Sequence, residues 1–361
     1  MLLKTPPTEP PGEIVDSAEL SNSGAAAVTT QEAGQPVSAR TSVLLFDTQT
    51  EAHAAHGLHD LGSLNPTDGQ LLWVDVLNPQ EPELRELART LSLPDEAIAA
   101  ILGNDTSPLL KSCGECFWLR VVAVAEHDGI RFQGRCLTLI AGKNLVVSVH
   151  REPIDFIEQK LQHQSGQGGQ GSLGSASFTA ALLDWQLSTY FDAVAQFEME
   201  VERLEVDVLA EKPRDCLQDL RALRKGASRL RRMLAPHRVV FSGMARPDFR
   251  PQEELKTDGH FQALDTHFER AMDMVENARD LVVGSFELFS TQTALRTNDT
   301  VRVLTFVTVV VGLLAVLAGV LGMNFETPFF KSGTIGFVVA ISAMLALAGL
   351  AVLVGKKRDW L

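Results

Sequence analysis

The sequence predicts an α+β domain followed by long stalk helices and two transmembrane α-helices. Two uncharged apolar runs stand in tandem near the C-terminus, VLTFVTVVVGLLAVLAGVLG at 303–322 and TIGFVVAISAMLALAGLAVLVG at 334–355. A helix of about 20 apolar residues crosses a hydrocarbon core, and both runs reach that length. One such run alone is compatible with a soluble core helix; two in tandem without a charge argue against it. Farther upstream, short runs of β-branched, leucine and aromatic residues read as strands. Between the two regions, apolar residues recur at helical spacing over long stretches, which read as the stalk.

The chain begins with a segment, 1–40, rich in Pro, Ser, Thr, Ala and Gly and poor in large apolar residues, which reads as a disordered tail. Its opening, MLLKTPPTEPPGEIVDS, has no apolar stretch of signal-peptide length, so export of the soluble part is not expected. A mixed α/β domain is expected over 41–160. Its strand-like runs are TSVLLF, LLWVDV, CFWLRVVAVA, RCLTLIA and NLVVSVH, and Asp128-Gly129 in EHDGIRFQG is a hairpin-type turn signal. PQEPELRELARTLSLPDEAIAAIL reads as helices broken at Pro94.

A helical hairpin is expected over 161–259, entered through the flexible connector QSGQGGQGSLGS. FTAALLDWQLSTYFDAVAQFEMEVERLEVDVLAEK has an acidic polar face and CLQDLRALRKGASRLRRMLAPHRVVFSGM a basic one. That contrast suggests two antiparallel helices laced by surface ion pairs, each of small value. A third helical pattern begins near His260 and forms a stalk helix over 260–302. No obvious proline stops it before the first span, 303–322, and unbroken to Leu321 the rod would measure roughly 90 Å. A loop at 323–333, the second span at 334–355 and a basic tail at 356–361 follow.

Charge and motif content exclude several classes. Lys+Arg 32 against Asp+Glu 45 gives a net charge of -13, a poor basis for gripping phosphate backbones, so nucleic acid is not an expected partner. No GxxxxGK[ST] loop supplies a phosphate cradle for ATP. Of Cys113, Cys116, Cys136 and Cys216 only the first two are close, and a reduced state is expected for all. Cys113-Gly114-Glu115-Cys116 lacks a second pair and reads as a turn before a strand rather than a zinc or redox site. His53, His56 and His59 in HAAHGLHD offer donors for a divalent ion, but the segment reads as a surface connection and the cluster as coincidental.

Arg296 and Arg302 precede the first span and Lys356, Lys357 and Arg358 follow the second, whereas the loop between carries Lys331 only. The positive-inside rule places both ends in the cytoplasm of a cell with an inner membrane, the loop outside it, and Trp360 at the interface. Two helices cannot enclose a water-filled path, so transport requires an oligomer. On the first span Thr308, Gly312, Ala315, Gly319 and Gly322 recur at steps of three or four and share one face. That stripe fits close helix packing of the small-xxx-small kind or a pore wall, and spacing alone slightly favours packing.

RTNDTVRVLT at 296–305, followed after the apolar run by GMNF, a short loop, a second apolar run and a terminal KKRDWL, resembles the C-terminal half of the CorA family of divalent-cation transporters. Gly322-Met323-Asn324 at the outer end of the penultimate span is that family's signature. A looser likeness in LLWVDVLNPQEPELRELA and NLVVSVHREP extends the resemblance over 41–361. It implies a funnel-shaped homopentamer in a lipid bilayer, the long helix lining an axial pore and the second span outside it.

By the same resemblance Asn324 supplies a ring of side-chain oxygens at the outer mouth, with Gly322, Met323 and Glu326 beside it in the filter. Mg²⁺ gives up its waters reluctantly, so neutral acceptors that hold the hydrated ion through water suit it; bare carboxylates would hold it too tightly. Leu304 and Val301 match an apolar constriction, Asn298 a polar pore position below it and Glu287 an acidic position of the stalk. Taken alone, Glu287 reads equally well as a solvated stalk face, and Asn298 otherwise reads as ordinary helix polarity. The resemblance turns Thr308, Gly312 and Ala315 into pore lining, although members usually carry bulkier or hydroxyl residues where this chain has Gly312, Leu313 and Ala315.

The loop departs from the acidic Met-Pro-Glu common after the triplet: here Thr327-Pro328-Phe329-Phe330-Lys331 leaves Glu326 as its carboxylate. The family's cytoplasmic metal-sensing position falls near Ala263, which is no ligand, and Asp265 is the candidate nearby. His267 matches a stalk histidine of relatives and otherwise reads as helix surface. The implied function is transport of a divalent metal cation, Mg²⁺ first and Co²⁺ or Ni²⁺ with it, down its gradient, with no resident cofactor and no enzymatic activity. A zinc transporter of the same family, proton-coupled or not, stays open, as does a two-span receptor or scaffold from a different class.

Overall fold

A computed structural model describes residues 39–47, 53–56, 61–62, 64, 66–67, 69–114, 116–125, 129–162, 174–210, 216–249, 258–323 and 333–358. The expected disordered tail before 39, the connector before 174, Asp128 and His59 lie outside the described residues.

Seven strands form one sheet: β1 (Arg40–Asp47), β2 (His53–His56), β3 (Gln70–Leu77), β4 (Leu109–Cys113), β5 (Cys116–Ala125), β6 (Gln133–Gly142) and β7 (Leu145–His150). Their order is β2-β1-β3-β7-β6-β5-β4. Only β3 and β7 pair in parallel, and the crossover between them includes α1 (Glu81–Thr90) and α2 (Asp95–Leu102). Because side chains alternate across a strand, the near-continuous apolar runs of the central strands feed two cores. Leu72, Val74, Val76, Ile140 and Val147 pack under α1 and α2, while Leu71, Trp73, Leu119, Leu139 and Val146 face the helices that follow.

Local signals set the helix ends. The Gln80 N–H donates to Glu83 Oε2 at 3.1 Å, and Pro82 sits in the first turn of α1. Arg151 Nη2 donates to the carbonyls of Ile101, Leu102 and Gly103, serving the end of α2. Beyond the sheet come α3 (Asp155–Gln162), α4 (Ser175–Leu209), α5 (Cys216–Leu234), a 3₁₀ turn (Ala235–His237), α6 (Arg238–Met244), α7 (Asp258–Leu321) and α8 (Thr334–Lys357). Helix α4 runs parallel to α7 in nearly constant register, through His260–Ser177, His267–Asp184 and Ser285–Glu205 hydrogen bonds. Helix α5 lies antiparallel to both, joined to α7 by Arg231–Glu276 at 3.6 Å.

Several expectations change. The HAAH segment is not a surface connection: it is the edge strand β2, paired antiparallel with β1. Cys113 and Cys116 are not reduced but joined by a disulfide across the β4–β5 turn. The basic helix lies antiparallel to the acidic one and packs on it, but among the described residues its segment's ion pairs, Arg231–Glu276 and Arg238–Glu269, go to α7 instead. The long basic segment is also not one helix, since Pro236 lacks the amide hydrogen that would continue the ladder and the chain takes a 3₁₀ turn there.

Two polar devices bind the layers. Strand β4 pairs with β5 only as far as Arg120, leaving the following edge of β5 without a strand. Helix side chains take over: the Val122 N–H donates to His237 Nε2 at 2.8 Å, the Val122 carbonyl accepts from Gln186 Nε2 at 2.7 Å and Tyr190 Oη at 3.0 Å, and the Val124 N–H donates to Thr189 Oγ1. This covers an edge that would otherwise template another strand. Inside the sheet, Trp73 Nε1 donates to Ser148 Oγ, and Ser148 Oγ donates to Asp75. His150 Nε2 faces Asp75 at 3.2 Å while its Nδ1 faces the Glu152 carbonyl at 2.7 Å. Both ring nitrogens meet oxygen acceptors, and Asp75 and His150 are both buried.

Candidate functional site

Helix α7 has 64 residues, roughly 95 Å at the rise of an α-helix, so the stalk and the first apolar run are one rod. Its apolar end and α8 are both long and apolar enough to cross a membrane, and the exposed large side chains of the two, from Val303 to Val354, are of the kind lipid or a partner must cover. What the rod presents there depends on which side α8 occupies.

Helix α8 packs beside α7. Along the span of α7 the half-buried positions are Phe306, Val310, Leu314 and Leu321, which share a side at steps of four and seven. The shielded positions of α8 are Gly336, Ala340, Met344, Ala348, Ala351 and Gly355. Large side chains of α7 thus enter a groove that α8 opens with small residues, the packing mode of membrane helices.

The opposite side of α7 is bare. Glu287, Asn298, Val301, Leu304, Thr308, Gly312 and Ala315 are all exposed, and at 100° per residue they fall within an arc of about 120° on an ideal helix. Val301 is 52% and Leu304 64% exposed. A Cβ added at Gly312 or Gly319 would meet nothing within 4 Å. The small residues of α7 therefore do not serve packing inside the subunit, which their spacing alone had slightly favoured. Thr308 Oγ1 donates to the Leu304 carbonyl at 2.8 Å, leaving its oxygen lone pairs to face outward as acceptors.

At the outer end α7 stops at Leu321, where the Gly322 N–H still donates to the Ala318 carbonyl and the Met323 N–H to Val320. Asn324 and Glu326 lie outside the described residues. In the stalk, Asp265 accepts from Ser242 Oγ at 3.2 Å and stands about 33 Å along the helix from Glu287. His267 Nδ1 lies 2.8 Å from Asp184. A shallow cavity of about 300 Å³ opens beside Ala263, between His260 and His267, but no group of three metal-ligating side chains occurs among the described residues. The Ser242–Asp265 hydrogen bond ties α6 to α7.

The groove of α8 is a functional feature that sequence reasoning missed. Its signal is present as glycine and alanine recurring about every fourth residue of 334–355, the same kind of stripe that α7 carries.

The sequence pattern of the family described as CorA-like Mg²⁺ transporter protein matches residues 68–357. The cobalt/magnesium transport protein CorA of Thermotoga maritima is 29% identical over 181 residues, 50% of this chain and 51% of that protein, so this alignment spans about half the relative's length. The cobalt/magnesium transport protein CorA of Methanocaldococcus jannaschii is 20% identical over 303 residues, covering 83% of this chain and 95% of that one. The solved structure of the CorA magnesium transporter from M. jannaschii shares the fold with a TM-score of 0.69 at 18% identity, over 88% of this chain and 98% of that one.

Proposed function

Since the chain belongs to the CorA-like Mg²⁺ transporter family, a family of membrane-embedded divalent-cation transporters, we propose that it conducts Mg²⁺ inward through the axis of a funnel-shaped homopentamer. The observation that carries this reading is the bare 287–315 face of α7, turned away from α8 and lined by Asn298, Val301, Leu304, Thr308, Gly312 and Ala315. Copies gathered with that face inward enclose a path that two helices cannot enclose alone.

At the outer mouth Asn324 side chains bind the hydrated ion through its water, and Glu326 raises the local cation concentration without stripping that shell. Below it, Gly312 and Ala315 leave room for an ion with its waters, and Thr308 offers hydroxyl oxygens. Rings of Leu304 and Val301 form an apolar constriction that closes by dewetting, Asn298 receives the ion beyond it and Glu287 draws it down the stalk. Tilting of the α7 rods opens the ring. A divalent ion entering down 100 mV gains about 4.6 kcal/mol, twice the single-charge value, so no ATP is needed. Basic residues at both flanks, Arg296 and Arg302 before the first span and Lys356, Lys357 and Arg358 at the other end, support cytoplasmic termini in an inner membrane.

The test is flux into proteoliposomes with Mg²⁺, Co²⁺, Ni²⁺ and Zn²⁺, with and without a pH gradient. Asn324→Ala abolishes Mg²⁺ entry while the oligomer elutes unchanged. Undiminished entry in the variant overturns the filter, and no divalent flux in the parent protein overturns transport in favour of a receptor or scaffold. Flux of Zn²⁺ alone, driven by protons, moves the assignment to a zinc transporter.

A further inference from the structure

Cys113 and Cys116 are register partners at the end of the β4–β5 hairpin, their Cα atoms 5.1 Å apart, and they are joined by a disulfide. Gly114 between them takes φ +70°, a conformation in which a side chain would be strained. Both cysteines are half-buried, within reach of a small reagent. A cross-link over so short a loop removes less freedom from the unfolded chain than one that closes a long loop, so permanent stapling explains it poorly. In domains that face a reducing compartment such bonds are usually transient and redox-sensing.

The hairpin rests on the root of α7 by two routes. Phe117, next to Cys116, packs edge-on against Phe249 at 5.3 Å and Phe261 at 6.4 Å, and those two rings meet at 5.7 Å. Phe261 lies in the first turns of α7. On the other strand, Leu110 approaches Gly243 of α6 so closely that a Cβ there would come within 3.0 Å of it. Phe241 of α6 stacks in turn on Phe268 of α7 at 5.1 Å.

We propose that Cys113 and Cys116 are a reversible dithiol/disulfide site that exchanges with a cellular dithiol–disulfide couple, and that their bond fixes the seat of α7 on the sheet. In the reducing direction a thiolate of the external dithiol attacks one sulfur, forming a mixed disulfide and releasing the other cysteine as a thiolate. The second external thiolate then displaces the first cysteine. Two electrons and two protons pass to the protein, leaving two cysteine thiols and an external disulfide. The reduced form has a place prepared, since Cys116 Sγ lies 3.2 Å from the Cys113 carbonyl, an acceptor for its S–H. Cys136 and Cys216 remain thiols, and burial pushes both above the usual thiol range, which makes them slow internal controls.

The experiment uses the full chain in detergent. Alkylation without reductant, followed by digestion, leaves the 113–116 pair unmodified and two hydrogens lighter; after dithiothreitol both cysteines alkylate. Hydrogen exchange in β4 and at the start of α7 is about tenfold faster in the reduced form, while exchange in α8 is the same in both. Cys113→Ser shows the faster exchange with or without reductant. Alkylation of both cysteines before any reduction overturns the proposal, and so does equal exchange in the oxidised and reduced parent protein. Neither readout depends on ion flux, so failure here is distinct from failure of the transport reading.

Discussion

Acidification from pH 7.5 to 4.5 should loosen the sheet from its helical layer through His237. This side chain is fully buried. Its Nδ1–H donates to the Leu234 carbonyl at 3.1 Å, and its Nε2 accepts the Val122 N–H at 2.8 Å. One neutral tautomer satisfies both bonds, and a second proton would find no acceptor. Burial lowers its pKa from 6.5 to about 4, against a weaker opposing pull from the Leu234 carbonyl. Because the folded value lies below the unfolded one, the unfolded chain binds more protons between them. Stability is complete above about 6.5 and is lost as pH falls towards 4, by about 3 kcal/mol in total and roughly 2.5 kcal/mol by pH 4.5. The assay is the opening free energy of β5 from hydrogen exchange in the full chain, corrected for intrinsic rates, at both pH values. His237→Gln keeps a side-chain acceptor near Val122 and cannot titrate. The parent should lose about 2.5 kcal/mol more than this variant on acidification, and equal losses would refute the assigned role of His237.

Three other outcomes follow from the same geometry. In the proposed pore Leu304→Gly removes the apolar ring and should raise divalent flux severalfold; an unchanged flux takes Leu304 out of the constriction. Ala348→Leu overfills the groove that receives α7 and should cost about 1–3 kcal/mol of thermal stability, whereas Gly312→Leu, with nothing within 4 Å of the new Cβ, should leave the subunit stable and reduce flux. The reverse pattern would mean that the packed and bare faces have been exchanged. Asp75→Ala strips the buried Ser148 hydroxyl and His150 ring of their acceptor and should cost about 1–3 kcal/mol in unfolding for each donor left unsatisfied, and a total loss below about 1 kcal/mol would place the cluster's stability elsewhere.

The strands legible in the sequence are the five that bury both faces or alternate strongly, because periodicity reports burial. The two that escaped are β2, HAAH, and β4, LLKSC, which are the two edges of the sheet. An edge strand needs only one partner and is kept short and polar, so its sequence carries little of the apolar signal; β4 has Lys111 and Ser112 exposed. The disulfide was invisible for a related reason. Its two cysteines read as a turn, and only the register of β4 on β5 brings them opposite one another. The charge pattern of α4 and α5 was legible as a contrast, yet contrast does not name a partner. Glu269 and Glu276 on α7 lie closer to the arginines than the acidic face of α4 does.

The candidate site shows the same limit more sharply. Gly312, Ala315 and Gly319 satisfy the spacing for helix packing and the spacing for a pore wall, because both uses demand small side chains on one face. Sequence cannot separate them, since what differs is the object facing the stripe. The structure supplies that object for the other side of the rod: Phe306, Val310, Leu314 and Leu321 turn towards α8, whose own Gly336, Ala340, Ala348, Ala351 and Gly355 make the close approach. Glycine in a helix interior costs about 1 kcal/mol relative to alanine. At Gly312 and Gly319 that cost is offset by no contact within the subunit. It is accounted for when the face meets either neighbouring copies or the path between them, and the exposed Leu304 and Val301 on the same face favour an assembly that shelters them from water.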